Sequence, residues 1–151
     1  MSELPEGVEL PSAEVAKPRP SAAAVISRKS GQEMEILLCH RVSEVPSFPD
    51  FWAFPGGGIS RVDREAAEDN PSWFSGREDR ESLIALLREM LEEVGIAPDG
   101  SGGFQNVQVE IIDRVNENKS EWTKLVSKGT LSTDNFNPSL ITQRTTPPVA
   151  P

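Results

Sequence analysis

Three carboxylates crowd one helix end in the segment Arg88-Glu89-Met90-Leu91-Glu92-Glu93-Val94-Gly95-Ile96. Glu89, Glu92 and Glu93 are spaced i, i+3 and i+4, so on a helix they share one face about a turn long. Like charges at that spacing repel by roughly 0.2–0.5 kcal/mol per pair. The negative end of the helix dipole adds roughly 0.3–1 kcal/mol against each nearby anion. Arg88 offsets one carboxylate, not three. A divalent cation, which takes hard oxygen ligands, would reverse the sign of the whole cluster.

These side chains need a helix that stops after them. From about Asp79 to Val94 the pattern is helical: Ile84, Leu87, Leu91 and Val94 form one apolar stripe, widened by Leu83, Leu86 and Met90. Gly95 suits the left-handed position after the last helical residue. Residues 61 to 80 are half charged, which predicts a surface insertion pinned by Trp73 and Phe74. Upstream, Ala22 to Ser27 and Glu35 to Val42 read as two strands joined by a turn at Arg28 to Gln32. The continuous run Ile36-Leu37-Leu38-Cys39 predicts a strand covered on both faces. Val45 to Pro49 reads as loop, and Phe51 to Phe54 lead into Pro55-Gly56-Gly57-Gly58. Taken alone, that glycine triplet reads as a flexible turn.

Downstream, Asp99 to Gly103 is a loop. Val107 to Val115 fits strand or helix by pattern, and we read it as helix through Asn116, followed by a short helix from Trp122 to Val126. Leu140-Ile141 predicts a last short strand. Residues 1–20, with four prolines among scattered acids, read as a disordered or loosely docked tail preceding one domain over 21–151.

Composition narrows the function classes. A net charge of −9 over 151 residues excludes a basic nucleic-acid face. It leaves room for a phosphate-bearing small molecule whose charge is met by metal ions. The single cysteine, Cys39, fits a reducing, cytoplasmic setting, and no apolar run is long enough to span a membrane. Cys39 and His40 have no second His or Cys partner and read as structural or surface residues. Trp52 suits either the core, the usual place for an aromatic beside a strand, or a stack on a substrate base. Arg41 suits a phosphate contact or a solvent-facing strand end.

The stretch Phe54 to Ile96 resembles the Nudix hydrolase signature, G-x5-E-x7-R-E-U-x-E-E-x-G-U with U aliphatic. Arg88, Glu89, Met90 in the aliphatic slot, Glu92, Glu93, Gly95 and Ile96 match its second half. Phe54-Pro55-Gly56-Gly57 match its start. Gly57 and Arg88 lie 31 positions apart where the signature sets 14, so an insertion of 17 residues has opened a loop, where length is thermodynamically cheap. The slot eight before Arg88 is Arg80, which leaves Glu81 or Glu78 as the substitute for the signature's first glutamate.

The resemblance implies an α/β/α sandwich on a mixed sheet and hydrolysis of a diphosphate linkage with Mg²⁺ or Mn²⁺. It implies Glu92 and Glu93 as metal ligands, Glu89 as ligand or base, the Gly56 carbonyl as a further ligand, and Arg88 as the residue that orients a carboxylate. The substrate class implied is a nucleoside diphosphate derivative. Leu37-Leu38-Cys39-His40-Arg41, the split box and Thr145-Thr146-Pro147-Pro148 resemble a subgroup that includes peroxisomal coenzyme A diphosphatases, so coenzyme A-type substrates lead. The alternatives are ADP-ribose, dinucleotide cofactors, nucleoside triphosphates, or a catalytically silent module that binds a nucleotide or protein. In that subgroup much of the sheet follows the Thr-Pro-Pro stretch. This sequence therefore predicts a fragment incomplete at its C-terminus, against the alternative of a compact variant that completes its sheet differently.

Overall fold

A computed structural model describes residues 18–44, 49–127 and 131–145. The 1–17 part of the expected tail, residues 45–48 of the expected loop and the prolines at 147 and 148 lie outside these residues. Among the described residues no helix is long and apolar enough to cross a membrane.

The first consequence of the chain path is that the glycine triplet is a strand, not a flexible turn. Strand β1 (Ser21–Ala23) pairs antiparallel with a later strand at Gly56–Gly58, in register Ser21 with Gly58 and Ala23 with Gly56. Glycine is required at 56 because φ is +151° and a Cβ there would collide with the Ala22 carbonyl and come within 2.6 Å of Ala23 Cα. The expected hairpin forms between β2 (Ser27–Ser30) and β3 (Glu33–Ile36), with a tighter turn at Gly31-Gln32 than the sequence suggested. Gly31 takes φ +64°, which the turn demands. Strand β4 (Cys39–His40) pairs antiparallel with β5 (Trp52–Ala53), and the Gly56–Gly58 strand is β6.

Helix α1 (Arg61–Asp69) corrects the expectation of a purely superficial insertion. Its charges line one side, while Asp63, Ala66 and Ala67 are buried on the other. Charge density predicted exposure, but helical periodicity sorts the small residues inward. Trp73 and Phe74 do pin the segment: their rings lie 6.0 Å from Trp122 and 6.2 Å from Phe136.

Helix α2 (Arg80–Glu89) runs straight into a wider π turn at Met90–Val94. Gly95 closes it at φ +73°, donating to the Leu91 and Met90 carbonyls. The apolar stripe is as expected at Ile84, Leu87 and Leu91, all buried. The last turn is not α-helical, so α spacing does not carry through Glu92 and Glu93. Such π turns favour functional sites.

A short hairpin follows, β7 (Ile96–Pro98) with β8 (Phe104–Asn106), and its loop is tied by Asp99, which accepts from Ser101 N–H and hydroxyl at 2.8 Å. Helices α3 (Val109–Glu117) and α4 (Glu121–Ser127) stand where the pattern placed them. The buried core joins Ala66, Ile84, Leu87, Leu91, Val115 and Trp122, so α1, α2, α3 and α4 meet on one cluster.

Two expectations fail on the strand side. Ile36 and Leu38 are exposed, so the Ile36–Cys39 run is not covered on both faces among the described residues. An unbroken apolar run records hydrophobicity, not which elements arrive to cover it. Leu140 and Ile141 are exposed and form no strand. The described strands assemble as four two-stranded antiparallel ladders plus one parallel bridge, Asp99 to Ser132, in place of a continuous mixed sheet. What the architecture does fix is a helix end facing a glycine strand.

Candidate metal centre

Arg88 is the hub of that meeting point. Its side chain is 1% exposed, and burying a guanidinium requires partners for its donors. Nε and Nη2 reach Asp63 Oδ1 and Oδ2 at 2.8 and 3.0 Å, a bidentate pair. Nη1 donates to Glu92 Oε2 at 2.9 Å. Nη2 also reaches Glu89 Oε1 at 2.8 Å and the Gly58 carbonyl at 3.2 Å. Burial opposes the charged guanidinium, yet Asp63, Glu89 and Glu92 more than offset it and hold the pKa above the ordinary arginine range.

Asp63 thus occupies the role that the sequence assigned to Glu81 or Glu78. Glu81 instead pairs with Arg64 at the surface, at 3.3 Å, and Glu78 is exposed. Counting backwards from Arg88 across the insertion missed Asp63. Counting forwards from Gly57, five residues on and then an acid, lands on it. A second signal was Ser60-x-x-Asp63, a helix-start pattern. Asp63 Oδ2 accepts from Ser60 N–H and Ser60 hydroxyl, each at 2.8 Å, so one carboxylate caps α1 and anchors Arg88. The insertion therefore lies after Asp63 and includes most of α1.

The three glutamates come together around this hub. Glu93 Oε2 accepts from Gly56 N–H at 2.9 Å, which ties the helix end to β6. Glu89 lies against Gly57: a Cβ at position 57 would fall inside contact distance of the Glu89 carboxylate. Burial pushes the Glu89 carboxyl above its ordinary value, with Glu92 and Glu93 adding to the rise and Arg88 opposing it. Glu92 Oε2 is taken by Arg88, with Lys119 Nζ at 3.5 Å. Glu92 Oε1 is buried and has no hydrogen-bond partner among the described residues.

That orphaned oxygen decides whether a cation fits. A buried, unpartnered carboxylate oxygen beside two further carboxylates is costly unless something positive sits against it. Oxygen-only donors suit Mg²⁺ or Mn²⁺. The residues fit such an ion, with Glu89, Glu92 and Glu93 to hold it and the Gly56 backbone adjacent. In this arrangement Glu92 Oε2 and Glu93 Oε2 turn to Arg88 and Gly56, so no three such donors converge on one point among the described residues.

The remaining candidates lie elsewhere. Trp52 is 66% exposed, not core, and tilts over His40 with ring centroids 4.9 Å apart. Cys39 is half-buried, and burial with the Glu93 charge raises its thiol pKa. Arg41 joins the loop through its backbone: its N–H donates to the Phe51 carbonyl at 2.9 Å.

The NUDIX domain family matches residues 17–137, and the chain belongs to that family. Among solved structures it is similar to the NUDIX hydrolase from Alicyclobacillus acidocaldarius, at 22% identity and a TM-score of 0.61. The match covers 81% of this chain and 59% of that one, so this chain spans under two thirds of the length of its structural relative. No curated protein matches it.

Proposed function

We propose that this chain is the Nudix unit of a hydrolase that cleaves the diphosphate linkage of a nucleoside diphosphate derivative with Mg²⁺ or Mn²⁺, in a reducing compartment such as the cytoplasm. The observation that carries the reading is the buried Oε1 of Glu92, which has no hydrogen-bond partner among the described residues. When bound, the cation supplies Lewis-acid polarisation of a phosphoryl oxygen and a more acidic water. Arg88 fixes Glu92 and Glu89 through separate donors, which costs no reorganisation once substrate arrives. Glu93 locks the helix end to Gly56, and the missing side chain at Gly57 lets the Glu89 carboxylate lie against the strand. Glu89, whose carboxyl is pushed above its ordinary value by burial, is suited to hold a proton taken from water.

Coenzyme A-type derivatives are the favoured substrates. Support for that finer choice comes from the Leu37-Leu38-x-x-Arg41 strand ending, the split box and Thr145-Thr146-Pro147-Pro148. The test is chromatographic detection of the cleavage products, two phosphomonoesters for a diphosphate diester, from a panel of coenzyme A, ADP-ribose, dinucleotides and nucleoside triphosphates, with Mg²⁺ or Mn²⁺. Wild type should turn over at least one diphosphate, and Glu93→Gln should lose at least about 100-fold. Activity that survives Glu93→Gln unchanged sinks the metal assignment.

A further inference from the structure

Lys119 lies far from the Nudix box in sequence, in the turn between α3 and α4. Its Nζ nevertheless stands 3.5 Å from Glu92 Oε2. The turn that presents it is rigidly held. Asn118 Oδ1 accepts from Ser120 N–H at 3.1 Å, Glu121 N–H donates to the Asn118 carbonyl at 2.8 Å, and Trp122 is fully buried in the core. A lysine aimed at a cation-binding carboxylate needs a reason, because its charge opposes the cation.

Holding Glu92 is a weak reason. Arg88 already donates to the same oxygen at the shorter distance of 2.9 Å, and a half-exposed lysine–carboxylate pair contributes little. Lys119 is 53% exposed, whereas Arg88 is buried with its donors committed to Asp63, Glu89, Glu92 and Gly58. The site therefore presents solvent with an ammonium on a flexible stem beside the Glu92 carboxylate. A diphosphate carries more negative charge than one divalent ion neutralises, and a chain of net charge −9 supplies little background attraction for it. Resting against Glu92, the ammonium is set beside any phosphate drawn to a cation there.

We propose that Lys119 is a substrate-binding residue that contacts the diphosphate and does not serve to hold Glu92; this rests on the metal-dependent reading above. The probe is methylenediphosphonate, a diphosphate that cannot be hydrolysed, titrated calorimetrically into the Mg²⁺-saturated chain. Lys119→Gln should weaken its binding about tenfold, the loss of one charge-assisted hydrogen bond, and Lys119→Arg should restore it to within about threefold. Mn²⁺ titrated alone should bind Lys119→Gln at least as tightly as wild type, since a repelling charge is gone. Equal diphosphonate binding by wild type and Lys119→Gln overturns the proposal, as does a parallel loss of Mn²⁺ affinity, which would make Lys119 a support for Glu92. A wild type that binds Mn²⁺ but shows no such Lys119 dependence defeats this inference alone. A wild type that binds no Mn²⁺ defeats the metal-dependent reading too.

Discussion

Asp63 and Arg88, 25 positions apart in the chain, are joined by two charge-assisted hydrogen bonds of 2.8 and 3.0 Å, with both side chains almost fully buried. A pair of this kind has an asymmetric energetic signature. Removing one partner strands the other charge in the interior.

Asp63→Ala should therefore destabilise the chain by about 3 kcal/mol or more, because Arg88 loses its bidentate partner. Glu81→Ala and Glu78→Ala, at the surface, should stay within about 0.5 kcal/mol. Urea denaturation of the three variants checks the ranking. Equal effects at 63 and 81 would remove Asp63 from its central place.

Adjacent glycines should fail in different ways. Alanine at 56 meets backbone of β1 at a φ that side chains rarely adopt, so Gly56→Ala should lower stability by about 1–3 kcal/mol. Alanine at 57 meets only the flexible end of Glu89. Gly57→Ala should keep most of the melting temperature while displacing Glu89 and weakening Mn²⁺ binding. Melting curves and Mn²⁺ titrations on both variants separate the two mechanisms.

A cation that binds only the folded cluster raises stability by mass action, about 2.7 kcal/mol at a hundredfold excess over its dissociation constant. The melting temperature should rise with Mg²⁺ or Mn²⁺ and fall back on chelation. In Glu92→Gln the rise should largely vanish, because the orphaned oxygen loses its charge. An unchanged rise in that variant would place the ion elsewhere.

The Arg77–Asp79 pair sets an acid limb of stability. Arg77 donates to both Asp79 oxygens, at 2.8 and 2.7 Å, and to Asn137 Oδ1 and the Pro138 carbonyl, bridging the insertion to the C-terminal segment. These hydrogen bonds from Arg77 hold the Asp79 carboxyl below its ordinary 3.8. A depressed folded pKa means the unfolded chain takes up its proton first as pH falls. The contribution is present above the ordinary value and disappears as pH drops through the lower folded one. Asp79→Asn should cost about 0.5–1 kcal/mol at pH 7 and flatten the loss of stability below about pH 4, read from denaturation at several pH values.

Trp122 gives a check on the core. It is fully buried, and its indole Nε1 has no hydrogen-bond partner among the described residues. Trp122→Ala should cost about 3–5 kcal/mol, and Trp122→Phe clearly less, since no hydrogen bond is lost with the indole. Comparable losses in both variants would mean that the N–H has a partner in solution.

The helix that carries the glutamates was the most readable part of the chain. Its apolar stripe, its stop at Gly95 and the trio Glu89, Glu92 and Glu93 all sit within one short segment; periodicity places the stripe, and the π turn then takes Glu92 and Glu93 off α spacing. Helices α3 and α4 were legible for the same reason. Ile36, Leu38, Trp52, Leu140 and Ile141 were misjudged because hydrophobicity tells what a residue would gain by burial, not which element comes to cover it.

The sequence by itself determined that carboxylates gather at a helix end, and that a cation would relieve them. Only the tertiary structure decided that Asp63, and neither Glu81 nor Glu78, anchors Arg88, that β1 pairs with Gly56–Gly58, and that Lys119 arrives at Glu92. Local spacing fixes neighbours within a turn or two. These three contacts are closed by chain reversals over tens of residues, and packing around Trp122 and the buried guanidinium chooses among the reversals the sequence allows.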